Sequence, residues 1–189
     1  MINFPGWLAL AGVVLVTGES PRLLFDFRQP ESAGQWQTVN DGVMGGVSSG
    51  AFRITPANTL EFTGVLSLAN NGGFASVRSR PRGLGLKAGD CIVARIRGDG
   101  REYSLNIYTS RPLRAFSHRA FVATKKAEWL EVRVPLEKFV ATSFGQVVPN
   151  ARPLDPAEVN GLGFLLGDKK PGPFQLEIDW LRAEGQSGR

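Results

Sequence analysis

The chain has 189 residues, 42% of them hydrophobic and 21% charged, which supports one domain with a packed core and excludes global disorder. Its 22 Lys and Arg against 17 Asp and Glu give a net charge of +5, a balance that permits attraction to anionic lipid or nucleic acid but establishes neither. The single cysteine, Cys91, excludes an internal disulfide and a cysteine-built zinc site, and the single histidine, His118, excludes HExxH chemistry.

In chain order, the first feature is "WLALAGVVLV", Trp7 to Val16. This apolar run is too short to span a bilayer comfortably and has the length of a signal-peptide core, followed by the small residues Thr17, Gly18 and Ser20. Residues 1–20 are therefore read as a leader, and the location expected is the periplasm or cell envelope if the leader is a signal peptide, otherwise the cytoplasm. Residues 21–184 form the folded domain and 185–189 a frayed tail.

Across the domain, short alternating runs recur between Gly and Pro signals. "LLFDF", "GAFRITP", "TLEFTGVLSL", "FASVRSR", "CIVARIRG", "YSLNIYTS", "AFSHRAFVAT", "WLEVRVPL", "GLGFLLGD" and "FQLEIDWLRAE" each read as a strand. Gly98-Asp99-Gly100 predicts a hairpin between "CIVARIRG" and "YSLNIYTS". Asn70-Asn71-Gly72 predicts another tight turn before "FASVRSR". Helical signal is confined to single turns at "PLEKFV" and at "DPAEVN", the latter with Asp155 as N-cap and Pro156 in the first position. The pattern predicts an all-β fold, a sandwich or barrel.

The stretch "VNDGVMGGVSSG", Val39 to Gly50, carries four glycines. It has no Lys for a phosphate loop and lacks the alternating oxygen ligands and closing Glu of a calcium-binding EF-hand. It is read as a turn between strands, with Asn40-Asp41-Gly42 favouring an Asx turn and Gly45-Gly46 supplying positive φ. Met44 either packs inward or stands as an adaptable apolar contact for a partner.

Five blocks then carry a resemblance: "WQTVNDGVMGGVSSGAF", "LEFTGVLSLANNGGFASVRS", "RIRGDGREYSLNIY", "WLEVRVPLEKF" and "LGFLLGDKKPGPFQLEIDWLRA". In this order and spacing the chain resembles the complex I intermediate-associated protein family over about Leu24 to Ala183. The resemblance implies a galactose-binding-like jelly-roll β-sandwich of two antiparallel sheets. It also implies a non-enzymatic role resembling that of a chaperone in assembly of the membrane arm of NADH:ubiquinone oxidoreductase.

The binding residues expected are Asn40, Asp41, Met44, Asn71, Arg78, Arg97, Asp99 and Tyr103. Asn70, Asn71 and Arg78 are read as lining a concave sheet face, where amides and a guanidinium grip hydroxyl or carboxylate groups. Arg97 is expected to face Asp41 or Asp99, and Arg78, Arg97 and Tyr103 to form a row beside the Met44 loop. No catalytic set is found, and no cofactor is expected. Calcium is tested through Asp26, Glu177 and Asp179, since the first and last strands of such sandwiches lie together and calcium takes oxygen ligands. The partner expected is a protein, a subunit of a respiratory membrane complex. The alternative is an exported carbohydrate-binding module with Trp36, Trp129 and Tyr103 as stacking platforms. Peripheral membrane contact stays open, and nucleic acid is not expected.

Overall fold

The computed structural model describes residues 20–110 and 116–185. Residues 1–19 of the leader, residues 111–115 of "RPLRAFSHRAF" and positions 186–189 lie outside the described residues. Thirteen strands run in chain order: β1 Arg22–Asp26, β2 Trp36–Asn40, β3 Ser49–Ile54, β4 Leu60–Leu66, β5 Ala75–Ser79, β6 Asp90–Gly98, β7 Glu102–Thr109, β8 Phe116–Ala123, β9 Trp129–Pro135, β10 Val140–Ser143, β11 Gln146–Val147, β12 Val159–Leu166 and β13 Gly172–Gly185. All strand pairs are antiparallel, in two sheets. One has the order β3-β4-β13-β6-β9 with β1 paired to β13, and the other the order β11-β10-β8-β7-β12-β5-β2. The expected all-β sandwich of two antiparallel sheets is the fold observed.

Alternation decides which face of each strand turns inward. Leu105 and Ile107 of β7, Leu162, Phe164 and Leu166 of β12, and Ile92, Ala94 and Ile96 of β6 are fully buried in a single core. Trp36 packs between Phe25 and Phe27, with ring centroids 5.1 and 5.7 Å away. Phe62 and Phe174 meet at 4.9 Å. β13 holds the six-stranded sheet together because it pairs along its length with β4, β6 and β1. Its pairing continues to Gly185, opposite Asp90, which is the first residue assigned to the tail.

Two turn predictions are corrected by the topology. β6 belongs to the six-stranded sheet and β7 to the seven-stranded one, so Gly98-Asp99-Gly100 carries the chain between layers instead of closing a hairpin. The Asn70-Asn71-Gly72 turn likewise joins β4 in one layer to β5 in the other. The 41–48 loop does the same between β2 and β3. Turn chemistry fixes a reversal of direction, but the layer in which the next strand pairs depends on distant partners. Both single helical turns form, at Leu136–Lys138 and Pro156–Glu158, and the Asp155 carboxylate accepts from the Ala157 N–H at 3.1 Å.

Candidate functional site

Asn40, Asp41, Met44, Asn71 and Asp99 gather at one end of the sandwich, where these crossings lie. Asn40 is level with Ala75, Leu166 and Tyr103 in one row of paired residues. Asp41 is wholly buried. Its Oδ1 accepts from the Ser48 N–H at 2.9 Å, and its Oδ2 accepts from Ser48 Oγ at 2.6 Å, Gly73 N–H at 2.6 Å and Phe74 N–H at 3.3 Å. Burial works against the charged carboxylate, but these donors outweigh it and hold its pKa below the ordinary range. The Asp41 backbone adds more, donating to Phe74 O at 3.2 Å and accepting from the N–H groups of Gly46, at 3.1 Å, and Gly45.

This hub explains the glycines. Gly45 takes φ +90, the left-handed region. Gly46 has an ordinary φ but no room, since a Cβ there would fall on the Asp41 carboxylate. A Cβ at Gly72 would lie 2.6 Å from Asp41 Oδ2. Ser48 Oγ also accepts from the Ser67 N–H at 3.0 Å, tying the 41–48 loop to the β4–β5 crossing. Asp41 therefore acts as a structural tether between the two segments. What the tether displays is apolar: Val43 is 73% exposed, Met44 51% and Val47 57%, with Val65 and Leu68 exposed beside them.

The expected row of Arg78, Arg97 and Tyr103 does not form. Tyr103 points into the core and donates to Asp99 Oδ2 at 3.2 Å. Burial pushes its hydroxyl pKa far up. Asp99 also accepts from Gln175 N–H at 2.9 Å and Arg101 N–H at 3.1 Å, so its carboxylate braces the crossing. Arg97 lies on the outer face of the six-stranded sheet and pairs with Glu177, its Nε 3.0 Å from Oε2, and not with Asp41 or Asp99. Trp36 and Tyr103 are buried, and Trp129 lies under Arg95 and Arg97 with Cζ 4.6 and 4.9 Å from its ring centre. None of the three offers a free stacking surface.

The six-stranded sheet's outer face is a lattice of paired charges. Arg53 meets Glu61, Arg95 meets Asp179, Arg97 meets Glu177, Arg133 meets Glu184, and Arg182 bridges Glu131 and Glu184. β1 and β13 do lie together, as the calcium test assumed, but Glu177 and Asp179 are committed to arginines. Among the described residues no three His, Cys, Asp or Glu side chains cluster as metal ligands. Among the described residues, the most buried ion pair is one that sequence reading missed. Arg101 grips Asp168 with two bonds, Nε to Oδ2 at 3.0 Å and Nη2 to Oδ1 at 2.6 Å, and donates from Nη1 to Pro173 O at 3.1 Å.

The seven-stranded sheet's outer face differs in kind. Gln37, Arg78, Gly163, Asn106, Arg119 and Val140 are successive pairing partners in one row across the strands. Arg78 Nε donates to Ser76 Oγ at 2.9 Å, and its Cζ sits 4.9 Å from the centre of the Tyr108 ring. It reaches there across β12 because that strand carries Gly161 and Gly163; a Cβ on Gly163 would press on the Arg78 stem at 3.2 Å. Asn106 is almost fully buried; its Nδ2 is 3.5 Å from both Tyr108 OH and Ser117 Oγ, and its Oδ1 has no partner. Arg78 was legible as an outward arginine, but Asn106 and Tyr108 join it only through strand order.

His118 is buried, edge-on to the Phe116 ring at 5.2 Å. It lines a cavity of about 180 Å³ with Thr109, Arg152, Asp155 and Glu158, and no Ser or Cys is in that lining. Among the described residues no serine–histidine pair is assembled there.

Layers, connectivity and end loops define a galactose-binding-like β-sandwich. The family 11 carbohydrate-binding module of a cellulosomal cellulase of Clostridium thermocellum superposes with a TM-score of 0.69 at 14% identity, covering 90% of this chain and 97% of the module. The same kind of module in complex with a β-1,3-1,4-mixed-linked tetrasaccharide gives 0.65 at 14% identity, covering 91% and 98%. At such identity the likeness concerns fold. The sequence goes further: residues 25–178 match the Complex I intermediate-associated protein 30 family, and the chain belongs to it. The mitochondrial Complex I intermediate-associated protein 30 of Mus musculus is 29% identical over 185 residues, and that of Drosophila melanogaster 25% over 184, each covering 86% of this chain. The chain spans 56% and 62% of those two relatives' lengths.

Proposed function

We propose that this chain is a non-enzymatic binding module that holds a protein subunit of a respiratory membrane complex during its assembly. One observation carries the reading: Val43, Met44 and Val47 stand exposed on a loop that the buried Asp41 carboxylate fixes to the sandwich. A fixed apolar display loses little conformational entropy on docking, and exposed Met adapts to varied apolar partners. Family membership supports the class of partner. The carboxylates of Asp41, Asp99 and Glu177 are saturated by internal donors, which supports a binding role over acid–base chemistry. Affinity capture from native membranes tests the proposal. The wild-type chain is expected to retain an identified subunit of a respiratory complex and Met44→Glu to lose it; equal retention by both would defeat the reading.

A second reading, carbohydrate binding, is favoured by the Arg78, Asn106 and Tyr108 face of the seven-stranded sheet. Guanidinium, carboxamide and phenol are groups that grip hydroxyls in fixed geometry.

A further inference from the structure

The two outer faces of the sandwich treat their arginines in opposite ways. On the six-stranded sheet every arginine named above has a carboxylate. On the seven-stranded sheet, Arg78 and Arg119 flank the central row, and among the described residues neither is paired with an acid. Arg78 bonds Ser76 and covers Tyr108, while Arg119 donates to the Gly145 carbonyl and lies over Phe121. The nearest outward carboxylate on these strands is Glu102, at the start of β7. It stands four residues from Asn106, a distance of about 13 Å along a strand. Among the described residues the face therefore presents two arginines without a carboxylate partner.

Between the two arginines lies a polar floor of Ser76, Ser104, Asn106 and Ser117, each more than nine-tenths buried. The Asn106 carboxamide is incomplete. As placed, Oδ1 lacks a donor; turned by half a revolution, the amide would leave Nδ2 without an acceptor instead. A buried amide atom without a partner costs free energy that a ligand hydroxyl would recover. Arg78 and Arg119 are three strands apart, about 14 Å at ordinary strand spacing. That backbone span, with the Arg78 guanidinium over Tyr108 and the Arg119 guanidinium at Gly145 and Phe121, suits a ligand of more than one unit.

Resting on the carbohydrate reading, we propose that this row binds an acidic oligosaccharide, with ring carboxylates on Arg78 and Arg119 and a sugar hydroxyl on Asn106. The fork of a guanidinium fits a carboxylate with two parallel bonds. Gly163, level with Arg78 and Asn106, leaves room for the Arg78 stem to lie across β12.

Calorimetry on the full chain separates the possibilities, with oligogalacturonate as the acidic probe and a β-1,3-1,4-linked glucan tetrasaccharide as the neutral one. The acidic probe is expected to bind at least tenfold more tightly, with an affinity that falls as salt rises. Arg78→Gln and the nearly isosteric Asn106→Asp should each weaken it at least tenfold, and Arg95→Gln on the opposite face should leave it unchanged. Thermal melts of each variant identify any that fail to fold, and Tyr108→Phe, which removes a single oxygen, then supplies the same test. Equal or tighter binding of the neutral probe would overturn the acidic assignment while leaving the carbohydrate reading in place. Binding of neither probe would overturn both. Acidic binding unaffected by the row variants would place the site elsewhere and overturn the inference.

Discussion

Asp41 and Gly73, 32 positions apart, are joined by a 2.6 Å hydrogen bond from the glycine N–H to the aspartate Oδ2. This contact and its neighbours on Ser48 and Phe74 tie two glycine-rich segments, the 41–48 loop and the 72–74 stretch, into one end. They also set what the loop can do. A tethered loop displays Val43, Met44 and Val47, whereas an untethered one would let them collapse onto the sandwich.

Asp41→Ala should destabilise the domain by on the order of 3 kcal/mol, because it strands several buried donors that now share a charged acceptor. For a domain of this size that corresponds to a fall in melting temperature of about 6–12 °C, readable by calorimetry.

The pH dependence follows from the depressed folded-state pKa of Asp41. Its carboxylate contributes stability in full above its ordinary value of 3.8, and that contribution is lost as pH falls below that value through the lower folded one. Asp168 and Glu184, whose pKa values are also lowered, act in the same direction. In Asp168, as in Asp41, burial alone would raise the value, and hydrogen bonds, led here by Arg101, reverse it. Denaturant melts should show the wild type weakening below about pH 4, and Asp41→Asn should weaken less steeply. Parallel curves for the two would contradict the assignment.

Gly46→Ala should cost about 2 kcal/mol, through overpacking against the Asp41 carboxylate and not through backbone strain, since only Gly45 of the pair has positive φ. Gly42→Ala, where a Cβ meets nothing within 4 Å, is the matched control and should be near neutral. Equal losses in the two variants would mean that the Asp41 contact does not set the requirement.

Arg101→Met should cost about 3–5 kcal/mol by leaving the Asp168 carboxylate without its partner in a nearly closed site. Lysine should not restore it, because one ammonium cannot reproduce the forked pair and the carbonyl bond to Pro173. Chemical denaturation of both variants checks this.

Much of the fold was legible in the sequence because one-sided burial writes a period of two along each strand, as in "FASVRSR", where Ala75 and Val77 turn inward. β2, β10 and β11 were missed; they are short edge or near-edge pieces with weak alternation. The end loops were legible as turns, but their layer was not, since Gly98-Asp99-Gly100 carries the same local chemistry whether it closes a hairpin or crosses the sandwich. The site was harder still. Asp41 looks like a loop acid until Ser48, Gly73 and Phe74 are brought to it. Arg97 looks free until β13 places Glu177 alongside. The Arg78, Asn106 and Arg119 row exists only through the order β5-β12-β7-β8, which no local pattern encodes.

The central claim is that the tethered apolar loop is the surface that meets a protein partner. Site-specific photocrosslinking tests it most directly, with a photoreactive residue at Met44 in one chain and at Arg95, on the charge-paired face, in another, each irradiated in native membranes. A discrete adduct with a respiratory-complex subunit is expected from position 44 and none from position 95. Adducts of that subunit from position 95 alone, or equally from both, would contradict it.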